Sequence, residues 1–361
     1  MIFKPTPKLN TSRQQNLRSQ PPVNQRVFNN PRVLSKGWYA ICPGSQIQAG
    51  KCQSFELFHQ RIVIFRTESG QLAALDAFCP HLGADLGNGR VVGEQIQCYF
   101  HQWEYNRQGQ LAKIACRQTL DPALQKISNR AYPVQEAYGY IWVFSAPEAT
   151  HDLPVPPTFE NQKLTAYCLG EIELYVHHHV MMANGIDLQH FATVHNLDIE
   201  FDYQIQDQQN GVFDWTLRGQ IPTNTLKARL ARYFLGGHFE YHVRFAGGSI
   251  VSITYGSDQS FKGFALPSIQ VLWGCRPLPE GHSRALVFLV QPARRGLIGK
   301  AKNALLYGLS VLLLAMLKDE DIGAFPNMRF NTHRLLKEDQ SLARLIQLTN
   351  QLELSDWGPE H

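Results

Sequence analysis

The chain has 361 residues, a length that suggests about two domains of typical size with cores that need no disulfide staples. Hydrophobic residues make up 44% and charged residues 18%, which excludes disordered and collagen-like classes. The net charge of +4 is unevenly placed: residues 1–51 hold eight Lys/Arg and no acid, leaving 26 basic against 30 acidic residues beyond them. The body of the chain therefore lacks the basic surplus that nucleic-acid proteins carry.

In chain order, residues 1–36 are rich in Pro, Gln, Asn and Arg without apolar periodicity, and read as a flexible basic arm. Arg and Ser without acids also fit an organelle-targeting peptide. From residue 37 short β-type runs follow at 38–42, 55–57, 62–66, 72–78, 95–99, 103–105 and 140–144, with hairpin turns at 68–70 and 107–109. They predict an all-β domain over 37–145. A linker over 146–157 carries Pro147, Pro154, Pro156 and Pro157.

Residues 158–355 mix both periods. A strand at 172–176 leads into helical composition over 181–195, and strands follow at 215–218, 241–245, 250–255, 269–273 and 286–291. Two helices close the chain, one running through the apolar stretch 304–317 to about Phe325 before Pro326, the other near 335–352. The whole is an α+β fold: the all-β domain, then an α+β domain whose antiparallel sheet is flanked by helices. Uncharged for fourteen residues, 304–317 is too short to span a bilayer. It reads as a buried helix, with a membrane-facing patch as the other reading.

Cysteines stand at 42, 52, 79, 98, 116, 168 and 275. An odd count without a secretory-type leader points to a reducing, cytoplasmic setting. Cys42, Cys52, Cys116, Cys168 and Cys275 have no metal-like spacing and read as buried thiols. Cys79-Pro-His81 and Cys98-Tyr-Phe-His101 differ: each pair offers one thiolate and one imidazole at a strand end. Structural zinc accepts two of each, usually with like ligands grouped. A cluster with two Cys on one iron and two His on the other needs both kinds of ligand from each loop. The spacing favours the cluster.

A second set, Asn184-x-x-Asp187-x-x-His190-x₄-His195, lies in the later domain. Asp187 and His190 share a helical face. His190 and His195 sit roughly 140° apart on a regular helix, so they meet at one metal only if the helix loosens or ends near 193–196. Two imidazoles and a carboxylate on one face of an iron leave positions open for other ligands. His177-His178-His179 reads as packing and hydrogen bonding around the site.

The first motif resembles the C-x-H…C-x-x-H signature of Rieske proteins, with Trp103 shortly after the second His. Ala84 and Phe100 stand where respiratory Rieske proteins carry an extra Cys pair, so the likeness is to the oxygenase type. Tyr99 stands where Pro is common and Gln102 where Gly is common. Followed by the second motif, the chain resembles Rieske non-haem iron oxygenases over about 37–352, nearest in motif to the sterol desaturase and ketosteroid hydroxylase branch.

The resemblance implies a Rieske [2Fe–2S] cluster on Cys79, His81, Cys98 and His101, and a mononuclear Fe(II) on His190, His195 and a late Asp. Asp321 is the candidate for that Asp, with Asp319, Asp198 and Asp202 behind it. It also implies that Asp187 links a cluster His of a neighbouring subunit to an iron-ligand His, with Asn184 close by, in a homotrimer. A ferredoxin or flavin reductase would supply electrons. With O2, the enzyme would hydroxylate, demethylate or desaturate a hydrophobic aromatic, steroid-like, terpenoid or pigment substrate. A Rieske electron-transfer protein with a non-catalytic second domain is the alternative.

Overall fold

A computed structural model of the chain describes residues 27–355 and 357, apart from 157–158, 160–161, 196–198, most of 224–236, 256–259, 262–263, 266–268, 279–280, 323–324 and 326–327. It divides into two compact units. One is Arg32–Asp152 with the described residues from Leu354 onward; the other is Leu153–Glu353 with the described residues before Arg32.

The first unit is built from β1 (Trp38–Pro43), β2 (Lys51–Leu57), β3 (Gln60–Arg66), β4 (Leu72–Asp76), β5 (Arg90–Val92), β6 (Gln95–Gln97), β7 (Glu104–Tyr105), β8 (Leu111–Lys113), β9 (Ala131–Tyr132), β10 (Val134–Ala137) and β11 (Tyr140–Phe144). They form three antiparallel sheets, in the orders β1-β11-β10, β2-β3-β4-β9 and β5-β6-β7-β8. β3 explains the arrangement. Its residues Ile62 to Phe65 are all buried, and successive side chains of a strand point to opposite faces. Ile62 and Ile64 pack with Tyr39, Ile141 and Val143, whereas Val63 and Phe65 pack with Leu75, Cys79, Ile96 and Cys98. One strand thus serves two cores, and the second core holds both cysteines of the first motif.

Two expectations about the termini need correction. Residues 27–36 are not a flexible arm: Val27, Phe28, Leu34 and Ser35 are buried, and the Val27 and Phe28 N–H groups donate to Asn350 Oδ1. The later domain does not run to 355. Leu354 forms a bridge with Ser35, Ser355 Oγ donates to Ser145 O at 2.6 Å, and the fully buried Trp357 ring meets Tyr132 edge-on at 4.9 Å.

The second unit contains β12 (Leu164–Leu174), α1 (His178–Asn184), α2 (Leu188–Thr193), β13 (Phe201–Asp207), β14 (Val212–Gln220), β15 (His238–Ala246), β16 (Ile250–Tyr255), the two-residue β17 (Ser260–Phe261) and β18 (Phe264–Ala265), β19 (Ile269–Pro277), β20 (Ser283–Pro292), α3 (Gly296–Ile322) and α4 (Gln340–Thr349). Its seven-stranded antiparallel sheet has the order β12-β20-β19-β16-β15-β14-β13. Phe213, Trp215 and Leu217 alternate inward on β14, and Tyr241, Val243 and Phe245 do so on β15. Trp215 donates from Nε1 to Ser341 Oγ on α4. Helix α4 buries Leu342, Leu345, Ile346 and Leu348, the helical spacing of a core-facing side.

The helical composition over 181–195 becomes two short helices rather than one. Gly185 caps the first and Asp187 the second. The apolar stretch 304–317 is helical but not buried on all sides: Leu305, Leu309 and Leu312 are exposed.

Candidate metal centres

The loop between β4 and β5 carries Cys79 and His81. Cys79 N–H donates to Ala84 O at 2.9 Å, Gly83 N–H to Cys79 O at 2.8 Å and Leu86 N–H to Ala77 O at 2.8 Å. Gly83 has φ +75°, where only glycine sits without strain. Asp85 fastens this loop. It accepts from Gly87 N–H and Ser54 Oγ, and pairs with Arg61 Nε at 2.8 Å. Burial alone would raise its pKa; the bonds from Ser54, Gly87 and Arg61 outweigh that and hold it below the usual 3.8.

The loop between β6 and β7 carries Cys98 and His101. It closes through Cys98 N–H to Trp103 O at 2.8 Å and Gln102 N–H to Cys98 O at 3.1 Å. Gln102 has φ +56°, which gives the physical reason a glycine is usual there. Below the loop, buried Gln97 donates to Glu104 at 2.8 Å and accepts from Arg90 at 2.7 Å.

The two loops converge. Cys79 and Cys98 are buried, at 3% and 2% exposure, in one core. The His81 and His101 rings lie 4.8 Å apart, and Trp103 stacks on His81 at 4.3 Å and 5°. His81 is half-buried and His101 exposed. Burial pushes the Cys79 thiol up, opposed by bonds from the Tyr105 hydroxyl and the His81 backbone, and Cys98 raises it further. Tyr105 Oη lies 3.2 Å from Cys79 Sγ. Two buried thiols beside two imidazoles nearer the surface fit the ligand set of an iron–sulfur cluster, which Cys79 and Cys98 would hold from the core side and His81 and His101 from the surface side.

The other centre begins at Asp187, whose Oδ1 accepts from Gln189 N–H at 3.1 Å and His190 N–H at 3.3 Å. This cap starts the six-residue α2. After Thr193 the helix widens: His195 N–H reaches back five residues to His190 O at 3.4 Å. That loosening brings His195 Nε2 to 3.0 Å from His190 Nε2, with ring planes at 89°. Two ligands at right angles, each about 2.1 Å from one metal, stand about 3 Å apart, so the pair fits adjacent positions on an iron. Asn184 Nδ2 lies 3.3 Å from His190 Nε2.

Asp321 lies in the last turn of α3 and Asp319 one residue before Glu320 on the same helix; their side chains, like Asp198 as a whole, lie outside the described residues. Asp202 is exposed on β13.

His177, His178 and His179 are buried, with ligand-type nitrogens within 4.8 Å of one another. Hydrogen bonds fix their forms. His179 Nδ1 accepts from Asn29 N–H at 3.1 Å, so its Nε2–H donates to Gly248 O at 3.1 Å. His177 accepts from His179 N–H and caps α1, while its Nε2 is buried without a partner among the described residues. Ser283 Oγ receives the His178 N–H at 2.8 Å. Desolvation lowers all three pKa values, that of His179 to about 3.

Of the cysteines expected to be buried, Cys42 and Cys275 are, and Cys52 is half-buried; Cys116 and Cys168 are exposed. Burial lifts Cys42 to about 12. Residue spacing missed Asp85, Tyr105 and the Arg90–Gln97–Glu104 chain, because each acts across strands. The one available signal was Asp85 standing within a turn of the first ligand pair.

The description "Rieske [2Fe-2S] domain" matches residues 37–128. The chain is 32% identical over 177 residues to cholesterol 7-desaturase of Drosophila melanogaster, a match that covers 47% of this chain and 40% of the relative. Against the oxygenase component of 3-ketosteroid-9-alpha-monooxygenase from Rhodococcus rhodochrous it is 29% identical, over 53% and 50% of the two chains. The chain thus spans about half the length of these curated relatives. Aminopyrrolnitrin oxygenase of Pseudomonas fluorescens matches more broadly, at 25% identity over 76% and 80%. In fold, dicamba monooxygenase is similar with a TM-score of 0.57 at 18% identity, over 89% of this chain and 98% of that one.

The fold and the convergent Cys/His loops define a Rieske [2Fe–2S] protein with a second, α+β unit. Beyond the Rieske [2Fe–2S] domain over residues 37–128, a sterol desaturase and a ketosteroid monooxygenase component are among the proteins the chain is similar to.

Proposed function

We propose that the chain is the oxygenase component of a Rieske system. It would use O2 and electrons from a ferredoxin or flavin reductase to hydroxylate, demethylate or desaturate a hydrophobic substrate. The observation that carries this reading is the pair of Nε2 atoms 3.0 Å apart at His190 and His195, in the same chain as a pocket of two thiols and two imidazoles. When bound, the cluster would supply electrons singly and the iron would activate dioxygen.

The chain's own residues do the rest. Cys79 and Cys98 hold the buried side of the cluster, and His81 and His101 the outer side. His190 and His195, with Asp321, hold the iron. Asp187 spends one oxygen on the α2 cap, which fixes His190 in place. Its other oxygen, which takes no hydrogen bond among the described residues, suits a ring N–H, the contact that orients a metal-bound imidazole and raises its basicity. In a homotrimer that contact links an iron ligand of one subunit to a cluster histidine of the next, and Asn184 borders the same imidazole. The named substrates of the relatives, a sterol, a ketosteroid and aminopyrrolnitrin, support a lipophilic ring compound. A reducing compartment, cytoplasmic or organellar, suits a chain whose seven cysteines form no disulfide.

The test is turnover of a sterol, ketosteroid and aromatic panel by the iron-loaded protein with a ferredoxin–reductase pair. His190→Ala is expected to abolish product while leaving the visible spectrum of the cluster unchanged. Equal turnover in that variant would sink the reading.

A further inference from the structure

The side of helix α3 opposite its exposed leucines buries two polar residues, Asn303 and Ser310, at 6% and 1% exposure, among half-buried Leu306, Tyr307 and Leu314. Asn303 accepts from Arg294 Nη1 at 2.6 Å and donates to Pro292 O at 3.1 Å. Its outward side is apolar, with Leu297 87%, Ile298 77%, Leu305 65%, Leu309 49% and Leu312 61% exposed. At about 100° per residue, these five fall within an arc of roughly 120°, and the buried Asn303 and Ser310 lie opposite its centre. Helix α4, by contrast, buries its leucines. A strip of this size open to water marks an interaction surface.

We propose that this face of α3 docks on an anionic lipid bilayer. The charges beside the strip identify the occupant. Exposed Lys300 borders one side of the arc and exposed Lys302 and Arg295 the other. The stretch 295–312 carries Arg295, Lys300 and Lys302 and no acidic residue, and the acids of α3, Asp319 to Asp321, come only in its last turns. Long cationic side chains flanking an apolar arc let the leucines enter the acyl boundary while the charges stay with the headgroups. Anionic lipid adds attraction for each base. No helix among the described residues is long and apolar enough to cross a membrane, so the contact is one of lying on the surface. This inference rests on α3 alone and is independent of the proposed reaction.

The test is flotation of the full-length, iron-loaded protein with two kinds of vesicle: phosphatidylcholine alone, and phosphatidylcholine with about a third phosphatidylglycerol. The wild-type protein is expected to float with the anionic vesicles, and at least about tenfold less with neutral ones or when salt rises to about 0.5 M. Leu297→Asn combined with Ile298→Asn is expected to weaken partition at least about tenfold. Lys300→Glu with Lys302→Glu is expected to remove the preference for anionic lipid. These positions are exposed, so thermal midpoint and cluster absorption check that each variant folds. Wild-type protein left unbound beside anionic vesicles overturns the proposal. So does Leu305→Glu dissociating an oligomer in the absence of any flotation, which would assign the face to a second copy of the chain.

Discussion

The two metal neighbourhoods are built in opposite ways. The four proposed cluster residues lie between positions 79 and 101, on two loops each closed by its own backbone hydrogen bonds. Asp85–Arg61 and Gln97–Glu104 tie these loops to the strands around them. The proposed iron residues begin on a six-residue helix and end, for Asp321, far along the chain on α3. The first site is set by local turns; the second depends on how separate helices are placed over one sheet. Damage to the first should therefore stay local, and damage to the second should show mainly in turnover.

Exchanging the sites' defects is the sharpest way to break that contrast. Cys98→Ser is expected to remove the cluster's visible absorption while the protein still takes up mononuclear iron. His195→Ala is expected to do the reverse, with turnover at background in both. Absorption spectra and metal content separate them, and loss of both metals in either variant would show that the sites are not independent.

Next in size is the acid response of the second unit. The folded pKa values of His177, His178 and His179 are depressed, so the unfolded chain binds more protons below its own pKa near 6.5. Their stabilising effect is complete above that value and is lost as pH falls through and below it. Each contributes a slope of up to about 1.4 kcal/mol per pH unit. Thermal melts between about pH 8 and pH 5 are expected to fall steeply, and His177→Phe is expected to flatten the curve. An unchanged slope would mean the imidazole is not buried neutral.

The first unit should answer lower on the pH scale. Asp85 has a lowered folded pKa, so its contribution is present above about 3.8 and lost as pH falls through the folded value. Asp85→Asn is expected to cost about 1–2 kcal/mol through its lost hydrogen bonds, with only a small part from the half-exposed Arg61 pair. Denaturant melts at neutral pH would show it. The smallest effect belongs to Gln102→Gly, which relieves a left-handed side chain and is expected to stabilise the loop by up to about 1 kcal/mol. A drop in stability there would mean that the Gln102 side chain contributes more than its strain costs.

The same contrast governs what was legible in the sequence. Strands β1, β3, β11 and β16 follow from apolar runs, and the cluster loops follow from ligand spacing, because both are local signals. The end of α2 at Thr193 also followed, since only a loosened helix lets residues five apart share a metal. The break between α1 and α2 did not, because Gly185 and the Asp187 cap interrupt a stretch of uniformly helical composition. Nor did the burial of Phe28 and Trp357, which lie in polar, Pro- or Gly-bearing surroundings and are ordered by partners distant in sequence. Helix α3 misled most. Apolar composition predicts burial only where the apolar side meets the core, and here Leu305, Leu309 and Leu312 face away from it.

The central claim is that one chain holds two kinds of iron. The most direct measurement is total iron and acid-labile sulfide per chain on anaerobically purified protein, repeated after ferrous reconstitution. About three irons to two sulfides is the expected result, two irons in the cluster and one on His190 and His195. About one iron per sulfide, unchanged by added Fe(II), would contradict it and leave the second unit without a metal to work with.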